Sequence, residues 1–153
     1  MRKEKDFEEF LRLLNKNKVK YCIVGAYAVG LYSEPRYTKD LDLVVEASLE
    51  NGKNIVKALK DFGFESLGLA AKDFTDKGEI VQLGFEPVRI DLLTSLKGCD
   101  FSKIWRNKKQ EQYGKEKVFV IGLNELIKSK KASNRPQDKL DIKTLSAMKR
   151  KRK

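Results

Sequence analysis

The run Lys39-Asp40-Leu41-Asp42-Leu43-Val44-Val45 sets two carboxylates inside what otherwise reads as a buried strand. Side chains alternate faces along a strand, so Leu41, Leu43 and Val45 point one way and Asp40, Asp42 and Val44 the other. The two acids then stand roughly 6.5–7 Å apart on one face. Like charges held that close repel, and burying them unpaired costs several kcal/mol each. Any fold containing this strand must therefore give its acidic face to water or to cations.

A third acid has the same setting, Asp91 in Val88-Arg89-Ile90-Asp91-Leu92-Leu93. If the two strands are neighbours, Asp40, Asp42 and Asp91 converge. Ligands that are all oxygen favour hard cations, Mg²⁺ or Mn²⁺. Two such ions about 3.5–4 Å apart stabilise the attacking and leaving oxygens of a phosphoryl transfer. Their charge exceeds that of three carboxylates, and the remainder suits a triphosphate. The other reading of these acids is a solvent-facing strand side neutralised by Arg36, Lys39 and Arg89.

Upstream, Val24-Gly25-Ala26 falls at a strand-to-helix junction. Glycine there lets a phosphate approach backbone N–H groups, and a helix start adds partial positive charge. The chain has no G-x-x-x-x-G-K-[ST] run, and Gly25-Ala26-Tyr27-Ala28-Val29-Gly30 lacks the middle glycine of a dinucleotide fingerprint.

Composition narrows the chemistry. There is no histidine among 153 residues, which excludes Ser-His-Asp and Cys-His catalysis and histidine-held zinc or haem. Two cysteines make no disulfide framework. Cys22 reads as a small core residue and Cys99 as a thiol in a turn. No apolar run approaches the roughly 20 residues of a membrane span, and the charged start MRKEKDFEEF does not read as a signal peptide. The expected location is the cytoplasm, with no membrane partner.

The net charge of +11 is unevenly spread. Residues 1–100 hold 16 Lys/Arg against 17 Asp/Glu, whereas residues 101–153 hold 17 against 5 and end Lys149-Arg150-Lys151-Arg152-Lys153. The basic last third is either a solvated helical extension or a surface that attracts a polyanion such as RNA, DNA or a nucleoside triphosphate.

Periodicity predicts a helix over 4–17, a strand over 19–24, two helical turns over 26–32 and a loop over 33–38. Further along it predicts a strand over 39–46, a helix over 50–62 and an irregular stretch over 65–78. Strands over 79–84 and 88–94, joined through Phe85-Glu86-Pro87, form an expected antiparallel hairpin. A short helix over 101–106 anchored by Trp105, a strand over 118–121, and helices over about 123–132 and from Pro136 complete the chain. The class is α+β (mixed α/β). Residues 1–122 make a core with a central mixed sheet flanked by helices, 123–148 a basic helical pair packed on it, and 149–153 a basic tail.

With these pieces in place the chain resembles the nucleotidyltransferase superfamily, the polymerase-β-like fold, and in particular small prokaryotic members grouped with abortive-infection-type toxins. The resemblance rests on Gly25-Ala26, then Arg36-Tyr37-Thr38-Lys39-Asp40-Leu41-Asp42, then Asp91. It extends to Leu126-Ile127, Lys130, Arg135-Pro136-Gln137-Asp138 and Asp141. It implies transfer of a nucleoside monophosphate from an NTP, by analogy ATP, to a hydroxyl, with release of pyrophosphate. Asp40 and Asp42 would bind two Mg²⁺ or Mn²⁺ ions, and Asp91 would bind one and help activate the acceptor hydroxyl. Gly25 and Ala26 would hold the β- and γ-phosphates, with Arg36, Thr38 and Lys130 as secondary contacts to phosphate or base. Arg135 and Asp138 read as a structural ion pair.

Ala26 departs from the family's second small polar or glycine position, keeping only the backbone donor. The short chain leaves no room for a large acceptor domain, so an acceptor (RNA, protein or small molecule) would be presented by a partner protein or completed by a homodimer. A toxin–antitoxin setting is implied by the resemblance alone. The competing function is a non-catalytic module of the same fold that binds RNA or a protein through its basic last third.

Overall fold

A computed structural model describes residues 4–35, 39–85 and 88–151. Helix α1 (Lys5–Lys16) forms where the apolar stripe requires it, burying Phe7, Phe10, Leu11 and Leu14. Strand β1 (Tyr21–Val24) is buried along its whole length and runs without a linker into α2 (Gly25–Tyr32). Strand β2 (Asp40–Val45) carries the two acids. Helix α3 (Leu49–Phe62) starts at Ser48, whose hydroxyl accepts from the Asn51 N–H at 3.1 Å, and stops at Gly63, where φ of 98° takes the left-handed conformation glycine allows. Buried Asn51 ties the entry of β1 to the exit of β2. It accepts from the Lys20 N–H at 2.8 Å and donates to the carbonyls of Lys20 and Glu46 at 3.1 and 3.0 Å.

The expected irregular stretch contains two short 3₁₀ turns, Glu65–Leu67 and Ala71–Phe74, held down by fully buried Phe74. Strands β3 (Ile80–Phe85) and β4 (Val88–Leu93) pair antiparallel as expected; Glu86 and Pro87 of their connection lie outside the described residues. Helix α4 (Phe101–Arg106) follows, then β5 (Lys109–Tyr113), β6 (Glu116–Val120), α5 (Leu123–Ser133) and α6 (Pro136–Lys151).

Two details differ from the sequence reading. In α4 the fully buried residue is Ile104. Trp105 is half-buried, its ring 6.1 Å from that of Phe101 and 5.2 Å from that of Phe119. Strand β5 was not expected at all. Its sequence, KQEQY, has no apolar alternation, and only Tyr113 is buried. It exists because Gly114, at φ 62°, turns the chain back to pair with β6 from Lys109↔Val120 to Tyr113↔Glu116.

The six strands form one mixed sheet in the order β3-β4-β2-β1-β6-β5. β1 is antiparallel to β2 and parallel to β6, while β2 is parallel to β4. Residues of all six helices join those of the sheet in one apolar cluster, from Phe10 of α1 and Ile55 of α3 to Leu126 of α5 and Leu145 of α6. Among the described residues no helix is long and apolar enough to cross a membrane.

Candidate active site

The parallel register of β2 on β4 decides where the acids go. Asp42 lies directly opposite Asp91, and Asp40 directly opposite Arg89. Opposed residues on neighbouring strands share a face at a spacing of about 4.8 Å. The three acids therefore meet on one side of the sheet, with Arg89 among them. Asp91 is buried and is gripped by the Arg89 fork, Nε to Oδ1 at 3.1 Å and Nη2 to Oδ2 at 3.0 Å.

Asp42 bears the electrostatic load. Burial, then the charges of Asp91 and Asp40, push its pKa from 3.8 up to about 6, against a smaller downward pull from Arg89. Its strand neighbour across β1 is Val24, so the start of α2 lies beside it. Gly25 has φ of 70°, and a Cβ there would collide with the Asp42 carboxylate, 3.0 Å from its Cβ and Cγ. Glycine is thus required both by backbone conformation and by the closeness of the acid. The α2 N-terminus carries no side-chain cap, which leaves first-turn N–H groups of Gly25 and Ala26 as donors beside the acids.

Across from the sheet, α5 contributes Leu126, Ser129 and Lys130, and these with the acids, Gly25 and Arg135 bound a cleft of about 320 Å³. A second cavity of about 320 Å³ continues past Lys130 along Ala26, Gln137 and Asp138. Gly25, Asp42, Lys130 and Arg135 belong to both walls. The Lys130 ammonium is held at 3.2 Å by Asp138 and at 3.2 Å by Asp141, both buried on α6. Arg135 reaches Asp138 at 3.0 Å, so the ion pair read from the sequence is present, within the first turn of α6. A separate cleft of about 660 Å³, lined by Thr94, Ser95, Leu96 and Phe101 past the end of β4, shares none of the three acids.

The structure thus brings Asp40, Asp42, Asp91, Gly25, Ala26 and Lys130 to one place. Arg36 and Thr38 fall outside the described residues. Arg89 was named from sequence only as a neutralising neighbour; its position two residues before Asp91 on the same strand face is the signal that makes it a site residue. The α6 acids could be read only through the resemblance, because their partner Lys130 is on another helix.

The acids at this site are candidate ligands for a divalent ion. Among the described residues no three carboxylate, thiol or imidazole side chains close round one point as they stand; Asp91 is turned to Arg89. Yet among the described residues Asp40 Oδ1 is buried with no hydrogen-bond partner, an arrangement that is costly unless a cation or donor meets it. The repulsion from Asp91 and Asp40, which adds to burial in raising the Asp42 pKa, would be relieved by the same charge. The all-oxygen donor set fits Mg²⁺ or Mn²⁺, with Asp40 and Asp42 as the primary pair.

No protein-family model matches the chain, and no curated protein matches it in sequence. Solved structures do match in shape. The lincosamide antibiotic adenylyltransferase LnuA, bound to lincomycin, aligns over 95% of this chain and 97% of its own at TM-score 0.59 and 17% identity. A Thermotoga maritima protein assigned to the nucleotidyltransferases aligns over 91% and 89% at TM-score 0.61 and 12% identity. An antigenic nucleotidyltransferase-like protein from Paracoccidioides brasiliensis aligns over 94% and 74% at TM-score 0.54 and 14% identity. Identities this low speak for architecture, and on that ground the chain has the nucleotidyltransferase fold.

Proposed function

We propose that the chain transfers a nucleoside monophosphate from an NTP to a hydroxyl acceptor and releases pyrophosphate. The observation that carries this reading is the Asp42↔Asp91 register beside Gly25, which puts clustered carboxylates against the uncapped start of a helix. The general activity agrees with the fold, and LnuA is by its description an adenylyltransferase with a small-molecule ligand.

In this mechanism the backbone N–H groups at Gly25 and Ala26 hold the β- and γ-phosphates at the α2 N-terminus. Lys130 and Arg135, fixed by the α6 carboxylates, present N–H donors along the same wall. Asp91 accepts the proton of the acceptor hydroxyl once Arg89 swings aside, which its partial exposure permits. The hydroxyl oxygen bonds to the α-phosphorus as the bond to the bridging oxygen of the β-phosphate breaks. Divalent ions on Asp40, Asp42 and Asp91, when bound, supply Lewis-acid stabilisation of the charge on the attacking and leaving oxygens. A non-catalytic module would keep the basic last third but leave the orphaned Asp40 oxygen and strained Asp42 without a purpose.

Thermal melts test this. Each NTP with Mg²⁺ or Mn²⁺ is expected to raise Tm by about 5–10 °C at near-saturating ligand, with little effect of nucleotide alone. A melt unmoved by all four NTPs with either metal would contradict the reading.

A further inference from the structure

A second charged feature lies one helix length from the acids. Tyr32 at the end of α2, the α4–β5 turn, the start of α5 and Lys149 of α6 enclose an open groove of about 540 Å³. Four cations line it: Arg106, Lys108, Lys109 and Lys149. Among the described residues the only acid in its wall, Glu125, is buried close to Gly122. Arg106, Lys109 and Lys149 are exposed. Lys108 is fixed in place, its ammonium 3.9 Å from the centre of the Trp105 ring and donating to the Trp105 carbonyl at 3.1 Å. Arg150 and Lys151 continue the basic edge along α6.

Clustered like charges oppose folding unless a partner neutralises them. A single small anion cannot meet cations spread round a groove of this size, whereas a chain of phosphates can. The position is also telling. Helix α2 begins at Gly25 beside Asp42 and ends at Tyr32 in the groove, a path of about 10 Å at 1.5 Å per residue. Helix α6 runs the same way, from Gln137 and Asp138 in the acid-side cavity to Lys149 in the groove. Two helices therefore lead from the groove to the acids.

We propose that this groove seats the phosphate backbone of a nucleic-acid strand, whose terminal sugar hydroxyl is the acceptor at Asp91. The acceptor role rests on the nucleotidyl-transfer reading; the seating of the strand does not.

Fluorescence anisotropy of the full chain with a short single-stranded RNA, and with DNA of the same sequence, tests the seating. Binding is expected to weaken steeply between about 50 and 200 mM salt. The double variant Arg106→Gln/Lys109→Gln is expected to bind at least ~10-fold more weakly and to flatten the slope of log K against log salt by about 1–2. Lys149→Gln, on a different element, is expected to flatten it by about 1. Lys53→Gln/Lys57→Gln on α3 removes as much charge outside the groove and is expected to change binding less than ~2-fold. Equal losses from the α3 pair and the groove pair, or displacement of the strand by polyglutamate as readily as by nucleic acid, would overturn the proposal. Strand binding with no labelled nucleotide transferred would sink nucleotidyl transfer and leave the groove standing. Transfer to small hydroxyl compounds with no strand binding would do the reverse.

Discussion

Asp42→Asn is expected to yield a protein more stable than its parent at neutral pH and unable to transfer nucleotide. The parent holds this carboxyl at a pKa of about 6 against an ordinary 3.8, because burial and the charges of Asp91 and Asp40 disfavour its anion. A folded-state pKa above the unfolded value means that the folded protein binds the proton more tightly. The Asp42 contribution to stability is then most favourable below pH 3.8 and falls as pH rises through the window from 3.8 to about 6. Above that window the penalty is constant, at about 3 kcal/mol. Asparagine keeps the shape and removes the charge. In chelator, melts of parent and variant should coincide near pH 3.8 and diverge to a Tm gap of about 5–10 °C by pH 7. Transfer should fall by roughly 10²–10³-fold or more, since one site charge is lost where charge develops. An advantage independent of pH would show that Asp42 is not the repelled group.

Asp138→Ala should act in the opposite sense and strongly. Asp138 is fully buried and binds two cations, Lys130 at 3.2 Å and Arg135 at 3.0 Å. It also accepts the Arg135 backbone N–H at 3.1 Å, which caps the start of α6. Removing it leaves buried Lys130 with Asp141 as its remaining carboxylate. Breaking a buried pair on one side costs about 3–5 kcal/mol, which corresponds to a Tm lower by roughly 6–15 °C. Burial alone would raise the Asp138 pKa, but hydrogen bonds from the side chain and backbone of Arg135 and from Lys130 outweigh it and hold the pKa below 3.8. Its contribution is thus present above pH 3.8 and lost as pH falls through the folded value, so parent and variant converge in acid. A variant that melts with the parent at pH 7 would show the network to be energetically idle.

Asp42 and Asp138 differ in how far the sequence made them legible. Asp40, Asp42 and Asp91 stood out because each interrupts an apolar strand, where a charge has no cheap local home. Their convergence needed only that β2 and β4 be neighbours, which the register provides. Gly25 could be placed at a turn, but not its contact with Asp42, which depends on β1 pairing with β2. Strand β5 was invisible because its polar side chains face solvent and its pairing comes from the Gly114 turn and from β6. The Lys130 network had no local signal, since lysine and its two acids approach only once α5 and α6 pack. The basic groove was similarly hidden: the sequence shows where the charge is concentrated, but Arg106 and Lys149 become neighbours only in the fold.

If the reaction is nucleotidyl transfer, the group that moves is the nucleoside monophosphate. This is tested most directly by incubating the full chain, Mg²⁺ and a mixture of RNA and small hydroxyl acceptors with NTP labelled at either the α- or the γ-phosphate. The α-label is expected to become attached to an acceptor while γ-label appears only in pyrophosphate. Label from the γ-position on the acceptor, or its release as orthophosphate, would contradict it.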